Sequence, residues 1–194
     1  MHRILYLGID PSRYVYDGLL THCPIIQTIP AVLDEETKRM WPLITHVLFT
    51  SRSAVTHWPL PLAEKVVLSI GHSTSASLPS PSLIAPSATQ EGVIALLEKM
   101  DLLNAFILWP RSSRSRSLLL EYFAEQKIHV HVFDLYTTCL RRPEVLPDLS
   151  LFDEIVFTSP STVEAFLELY GSIPAGKKIT PIGPVTAKTL QINI

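Results

Sequence analysis

One string occurs twice in this chain, and that repetition limits its possible folds more than any other feature. VLFTSRSAV begins at Val47 and IVFTSPSTV at Ile155. Each is followed by an apolar run that ends in Gly and passes into small hydroxyl residues: VVLSIGHSTSASL from Val66 and ITPIGPVTAKTL from Ile179. The ordered pairs recur at nearly one offset, Phe49 against Phe157 and Gly71 against Gly183. A module of roughly 110 residues is therefore duplicated.

Each copy reads as strand, turn, helix. Glu154 to Phe157 is β-branched and aromatic, Ser159 suits an N-cap, Pro160 the first helical position, and Gly171 a helix end. Val163, Phe166, Leu167 and Tyr170 recur at helical spacing. The first copy's helix is short, because it meets Pro59 within about two turns. Between the copies the pattern predicts helices at 91–100 and 115–126 and strands at 105–109 and 128–133. Near the start it predicts a strand at 4–7, a polar helix, and a strand at 24–29. Alternating strands and helices imply an α/β fold with mainly parallel sheets and helices on both faces. Neither end of the chain suffices for a lobe alone. Residues 1–30 and 140–194 are therefore expected to form one lobe and 31–139 the other, a similar parallel sheet flanked by helices. Two crossings, near residues 30–34 and 136–141, would join them.

A hydrophobic fraction of 47% with 18% charged residues supports buried cores, and a net charge of -2 argues against a general nucleic-acid binder. No apolar run approaches the ~20 residues of a membrane span and no signal-like segment opens the chain, so a soluble cytoplasmic protein is expected. Cys23 and Cys139 have no metal-type spacing around them and read as reduced, structural thiols.

In open parallel sheets, ligands bind beyond the carboxyl ends of the strands, where helix starts offer unpaired N–H groups that suit carboxylates and phosphates. The repeated hydroxyls fall there: Thr50, Ser51 and Ser53 in one lobe, Thr158, Ser159 and Ser161 in the other, with Ser73, Thr74 and Thr186 after the two Gly-ended runs. Each also reads as a helix cap. Gly71 and Gly183 suit tight turns rather than a dinucleotide site, since no GxGxxG or P-loop occurs. Arg111 and Arg114, in the string RSSRSR, could face a carboxylated ligand or form a solvated loop. There is no GxSxG elbow or HExxH string, and His129 and His131 lack a third metal ligand. Tyr136, just after the strand at 128–133, could bring an acidic O–H to the ligand or be a buried aromatic with a satisfied hydroxyl.

The order FTSRSAV, IGHSTSASL, ATQEGVIALL, ILWPRSSRSRSLLLEYF, FDLYTT, IVFTSPSTVEAF and ITPIGPVTA resembles that of uroporphyrinogen-III synthases over nearly the whole chain. The resemblance implies two lobes joined by a two-stranded connection, with the ligand in the cleft between them. It implies an enzyme that closes linear hydroxymethylbilane into uroporphyrinogen III, with loss of water and inversion of ring D through a spiro intermediate, and that needs no cofactor or metal. It implies Tyr136 as proton donor to the departing hydroxyl, ligand contacts at Thr74, Ser159 and Thr186, and a basic position at Lys178, five residues before Gly183. The sequence departs from the family in its clipped helix after Ser53 and in its close at Ile194, where a further strand and helix are expected. A monomer follows, with self-association open through the shortened C-terminal lobe, and no membrane or nucleic-acid partner. The alternatives are a non-catalytic two-lobed binder of a tetrapyrrole or other polycarboxylate, and a sugar or nucleotide receptor.

Overall fold

The computed structural model describes residues 1–192. Along the chain run β1 (Arg3–Tyr6), β2 (Leu19–His22), β3 (Ile26–Pro30), α1 (Glu35–Met40), β4 (His46–Phe49), α2 (Arg52–His57), β5 (Val66–Ser69), α3 (His72–Ser75) and β6 (Leu83–Ile84). They are followed by α4 (Gln90–Leu97), β7 (Phe106–Ser112), α5 (Leu118–Glu125), β8 (His129–Leu140), β9 (Glu154–Phe157), α6 (Pro160–Tyr170), β10 (Lys178–Pro181) and α7 (Pro184–Ile192). The chain divides into two compact units, one of residues 1–28 with the chain from Thr138 on, the other Ile29–Thr137. β3 and β8 carry the chain from one unit to the other. No helix among the described residues is long and apolar enough to cross a membrane.

The first unit brings both chain ends into one parallel sheet, ordered β10-β9-β1-β2. Alternation along the strands decides what each face buries. Leu5, Leu7, Ile155 and Phe157 pack against Val163, Ala165 and Phe166 of α6 and Leu190 of α7. Phe157 meets Phe166 edge-on at 5.2 Å, and Phe166 stacks on Tyr170 at 4.6 Å. The opposite face holds a smaller apolar cluster of Ile4, Tyr6 and Val156, with Tyr14 and Leu20 against them. The sheet is parallel and flanked by helices, as expected, with α6 and α7 supplying the larger of its two apolar clusters.

Residues 8–18 lie in the stretch where the sequence suggested a helix, and they form a loop. Asp10 turns the chain by accepting from Ser12 N at 2.9 Å and Ser12 Oγ at 2.8 Å, and Tyr14 N donates back to Pro11 O. Gly18 holds a φ of 134°, open to glycine, and a Cβ there would collide with the carbonyl of His2. The polar stretch thus spends its hydrogen bonds on turns and delivers β2 directly.

In the second unit the sheet is ordered β3-β8-β7-β4-β5-β6, and here both faces are covered. Val47, Phe49, Phe106, Leu108 and Phe133 lie with Leu33, Ala54 and Trp58 on one side. Leu48, Leu68, Ile107 and Trp109 lie with Val93 and Leu97 of α4 and Leu119 and Phe123 of α5 on the other. α2 stops at His57, two residues before Pro59, as the residue preceding a proline is pushed out of the helical region. β8 runs seven residues past the expected end at Phe133, which places Tyr136 inside a strand.

Candidate active site

The geometry around Tyr136 begins with a β-bulge. β7 and β8 pair in register up to Arg111 with Asp134, and then Ser112 faces Tyr136, leaving Leu135 as the extra residue. A bulge re-aims the side chains that follow it. Here it turns two consecutive residues inward: Leu135 is 1% exposed and Tyr136 7%. The phenol lies 2.8 Å from Ser51 Oγ. Burial pushes its pKa up, and hydrogen bonds with Ser51, Ser53 and Ser112 pull it back. The His57 ring lies 5.8 Å away, centre to centre. Ser112 was not picked out from the sequence, and only its place in the RSSRSR string could have drawn attention to it.

The other hydroxyls of this unit divide by role. Ser51 caps α2, accepting from Ala54 N at 3.0 Å. Thr50 Oγ1 accepts from the buried indole of Trp109 at 3.0 Å, a bond that ties the strand end into the core. Thr74 is buried in α3 and Ser73 is exposed beside it. Gly71, just before α3, has an ordinary extended backbone, but a Cβ there would come within 2.9 Å of Ala88 Cβ. The glycine answers a close approach rather than a turn.

Arg111 lies in β7 rather than in a solvated loop, one of the two alternatives the sequence left open. Its Nε donates to Asp134 at 2.8 Å, and its guanidinium sits 5.0 Å from the centre of the Trp109 ring. Its Nη1 is buried without a hydrogen-bond partner among the described residues. Arg114 is exposed in the following turn. Arg116 makes a two-pronged pair with Glu91 and holds that carboxyl at about 2. The basic string is therefore partly neutralised within the unit.

In the first unit Ser159 caps α6, accepting from Thr162 N at 3.3 Å, and Thr162 Oγ1 accepts in return from Ser159 N and Thr158 N, both at 3.1 Å. This reciprocal capping box spends the start of the helix on structure. Thr162, wholly buried, was missed in the sequence, although it stands three residues after the cap, where such a partner belongs. Ser161 is half-buried in the first turn of α6. Thr186 is 3% exposed in α7. A Cβ at Gly183 would meet nothing within 4 Å, so no crowding requires that glycine.

Lys178 corrects the sequence reading. It opens β10 and pairs with Glu154 Oε2 at 2.9 Å, at the amino end of strands whose carboxyl ends lead into Thr158, Ser159, Gly183 and Thr186. Its charge serves the sheet. His131 shares a 2.7 Å hydrogen bond with Thr37 and His129 stacks on Phe106, so the alternating histidines are also accounted for structurally. No group of three or more His, Cys, Asp and Glu among the described residues could hold a metal ion.

Together these features define an α/β protein with hydroxyl-bearing helix starts at the carboxyl ends of parallel strands and the Tyr136 phenol buried among serine hydroxyls. The family profile described as uroporphyrinogen-III synthase HemD matches residues 17–193, and the chain belongs to that family, an enzyme of tetrapyrrole and heme biosynthesis. Solved structures share the fold. The uroporphyrinogen-III synthetase of Helicobacter pylori is 20% identical with a TM-score of 0.65, covering 99% of this chain and 89% of that one. A mutant uroporphyrinogen III synthase of the extremely thermophilic bacterium Thermus thermophilus is 17% identical with a TM-score of 0.61 over the same shares. No curated protein sequence matches.

Proposed function

We propose that the chain converts hydroxymethylbilane to uroporphyrinogen III with Tyr136 as the general acid. The observation that carries this reading is the phenol's setting: buried, protonated at neutral pH as any phenol is, and held by serine hydroxyls, which lower the pKa that burial raises, rather than by a carboxylate that would trap its proton. In the forward direction the phenol proton goes to the substrate's hydroxyl as its C–O bond breaks, releasing water. Formation of the new carbon–carbon bond and ring D inversion then release a proton from the pyrrole carbon, which returns to the tyrosinate. Acid and base roles thus alternate on one oxygen, and the only product besides the macrocycle is water.

The hydroxyls and backbone donors at Thr50, Ser53, Ser73, Thr74, Thr158, Ser161 and Thr186, with Arg111 and Arg114, are the groups this reading assigns to the eight substrate carboxylates. Ser51 and Ser159 take part through the helix starts they cap. Holding a flexible bilane in a closable shape supplies much of the barrier reduction. The reading also makes the protein a cytoplasmic monomer, in keeping with Cys23 and Cys139 as free thiols.

The test is product analysis with freshly generated hydroxymethylbilane, separating the type III isomer from the type I isomer that forms spontaneously. Type III should predominate with the native chain, and Tyr136→Phe should slow its formation by about a hundredfold or more, the low end of general-acid effects. Only type I product from folded protein would overturn the synthase reading.

A further inference from the structure

More than burial holds the Tyr136 oxygen. Ser51 at the cap of α2 lies 2.8 Å from it, and Ser53 in the first turn of α2 and Ser112 at the end of β7 join Ser51 in lowering the pKa that burial raises. A phenol carries one proton, so at most one partner hydroxyl can accept it and the remainder can only donate. Ser51 is the clearest donor. One of its lone pairs already accepts from Ala54 N at 3.0 Å, its own hydrogen remains to be placed, and accepting a bond polarises its O–H for donation. The charged neighbours do not compete for the phenol: the Asp134 carboxylate, two residues earlier on β8, is taken by Arg111 Nε at 2.8 Å. His57 lies beside the ring at the end of α2.

We propose that Ser51, with Ser53 and Ser112, forms a donor set that positions Tyr136. Ser51 and one further hydroxyl can direct their hydrogens at the neutral phenol oxygen, leaving its O–H for the departing hydroxyl, and all three can donate to the tyrosinate that forms when the proton moves. The proposal deepens, and rests on, the reading of Tyr136 as the acid. The three serines are positioning residues that act through the tyrosine.

Ser51→Gly is the informative variant, because glycine removes the hydroxyl yet remains a serviceable N-cap, so the helix start survives. Ser51→Thr restores the hydroxyl. Tyrosine labelled at Cζ is followed by NMR across alkaline pH, with the Tyr136 signal assigned by its loss in Tyr136→Phe, and type III rates are measured over the same range. In Ser51→Gly the phenol titration should move upward, and further upward when Ser112→Ala is added. The type III rate should fall about tenfold, the cost of one hydrogen bond to a developing charge. The alkaline limb of the rate profile should move up with the phenol, and Ser51→Thr should return both. A folded Ser51→Gly protein whose Tyr136 titrates as in wild type overturns the donor set. A phenol shifted upward in Ser51→Gly, together with a wild-type chain that makes no type III product, would sustain the donor set and overturn the synthase reading instead.

Discussion

Replacing Glu154 by Gln isolates the most concentrated electrostatic contribution in the first unit. Glu154 opens β9 in the interior of the four-stranded sheet and is 2% exposed. It accepts from Lys178 at 2.9 Å, Thr180 at 2.5 Å and, more weakly, Tyr14 at 3.3 Å, and shares a 2.8 Å bond with His2. Burial alone would raise this carboxyl, but hydrogen bonds from His2, Thr180 and Lys178 outweigh it and hold the group at about 2, against an ordinary 4.5. A depressed folded pKa contributes stability that is present above the unfolded value and is lost as pH falls through the folded one. At about 1.4 kcal/mol per pH unit the contribution is about 3 kcal/mol at neutral pH and roughly half of that at pH 3. Glu154→Gln keeps the shape and one acceptor oxygen, so a loss of about 2–3 kcal/mol is expected at pH 7, shrinking to about 1 kcal/mol at pH 3. Urea denaturation followed by far-ultraviolet circular dichroism at both pH values measures it. Hydrogen bonds also depress Asp34, Glu91, Asp148 and Asp153, so both proteins weaken in acid and only their difference reports Glu154. A difference below about 0.5 kcal/mol at pH 7, or one that stays constant down to pH 3, would refute the reasoning.

The two repeated glycines should respond differently to alanine. Gly71→Ala, with its Cβ driven to 2.9 Å from Ala88, should cost about 1–2 kcal/mol, whereas Gly183→Ala, in open space and without a left-handed backbone, should be neutral or slightly stabilising by thermal melting. Thr162→Val keeps the volume but leaves the N–H groups of Thr158 and Ser159 without their acceptor; a loss of about 2–3 kcal/mol by urea denaturation is expected, and an unchanged midpoint would show that another acceptor replaces it.

Local signals were legible where the chain decides its own course. Ser159, Pro160 and Gly171 bound α6 as their chemistry requires, and Pro59 sets the end of α2. What failed was long-range. The Leu135 bulge exists only because β8 pairs with β7 and slips at Ser112, and nothing in FDLYTT announces that partner. The burial of Glu154 depends on His2 and Lys178, which the sheet collects from opposite ends of the sequence. Lys178 itself was readable: a residue that opens a strand lies at the other end of the sheet from the loops that follow it. Residues 8–18 were misread because a polar stretch was taken for a helix while Asp10, Pro11 and Gly18 spelled turns.

The duplicated motif carries a further consequence in a single aligned position. FTSPST places Thr162 three residues after Ser159, and its hydroxyl closes the helix start on itself. FTSRSA places Ala54 three residues after Ser51, and a methyl group has no oxygen with which to close the box. Ser51 still caps its helix through Ala54 N, but its remaining hydrogen-bonding capacity is not needed at the helix start. It goes to Tyr136. Two copies of one string thus differ in what their serine bonds, because one residue decides whether its surroundings are sealed locally or left for a phenol brought in by a strand about eighty-five positions further along the chain. Ala54→Thr, compared with Ala54→Val of the same size, would test that logic: both overpack the buried site, but only the threonine can close a reciprocal box, so it should be the more stable of the two while forming less type III product. Equal changes in both, or none in either, would show that the cap and the phenol do not compete for Ser51.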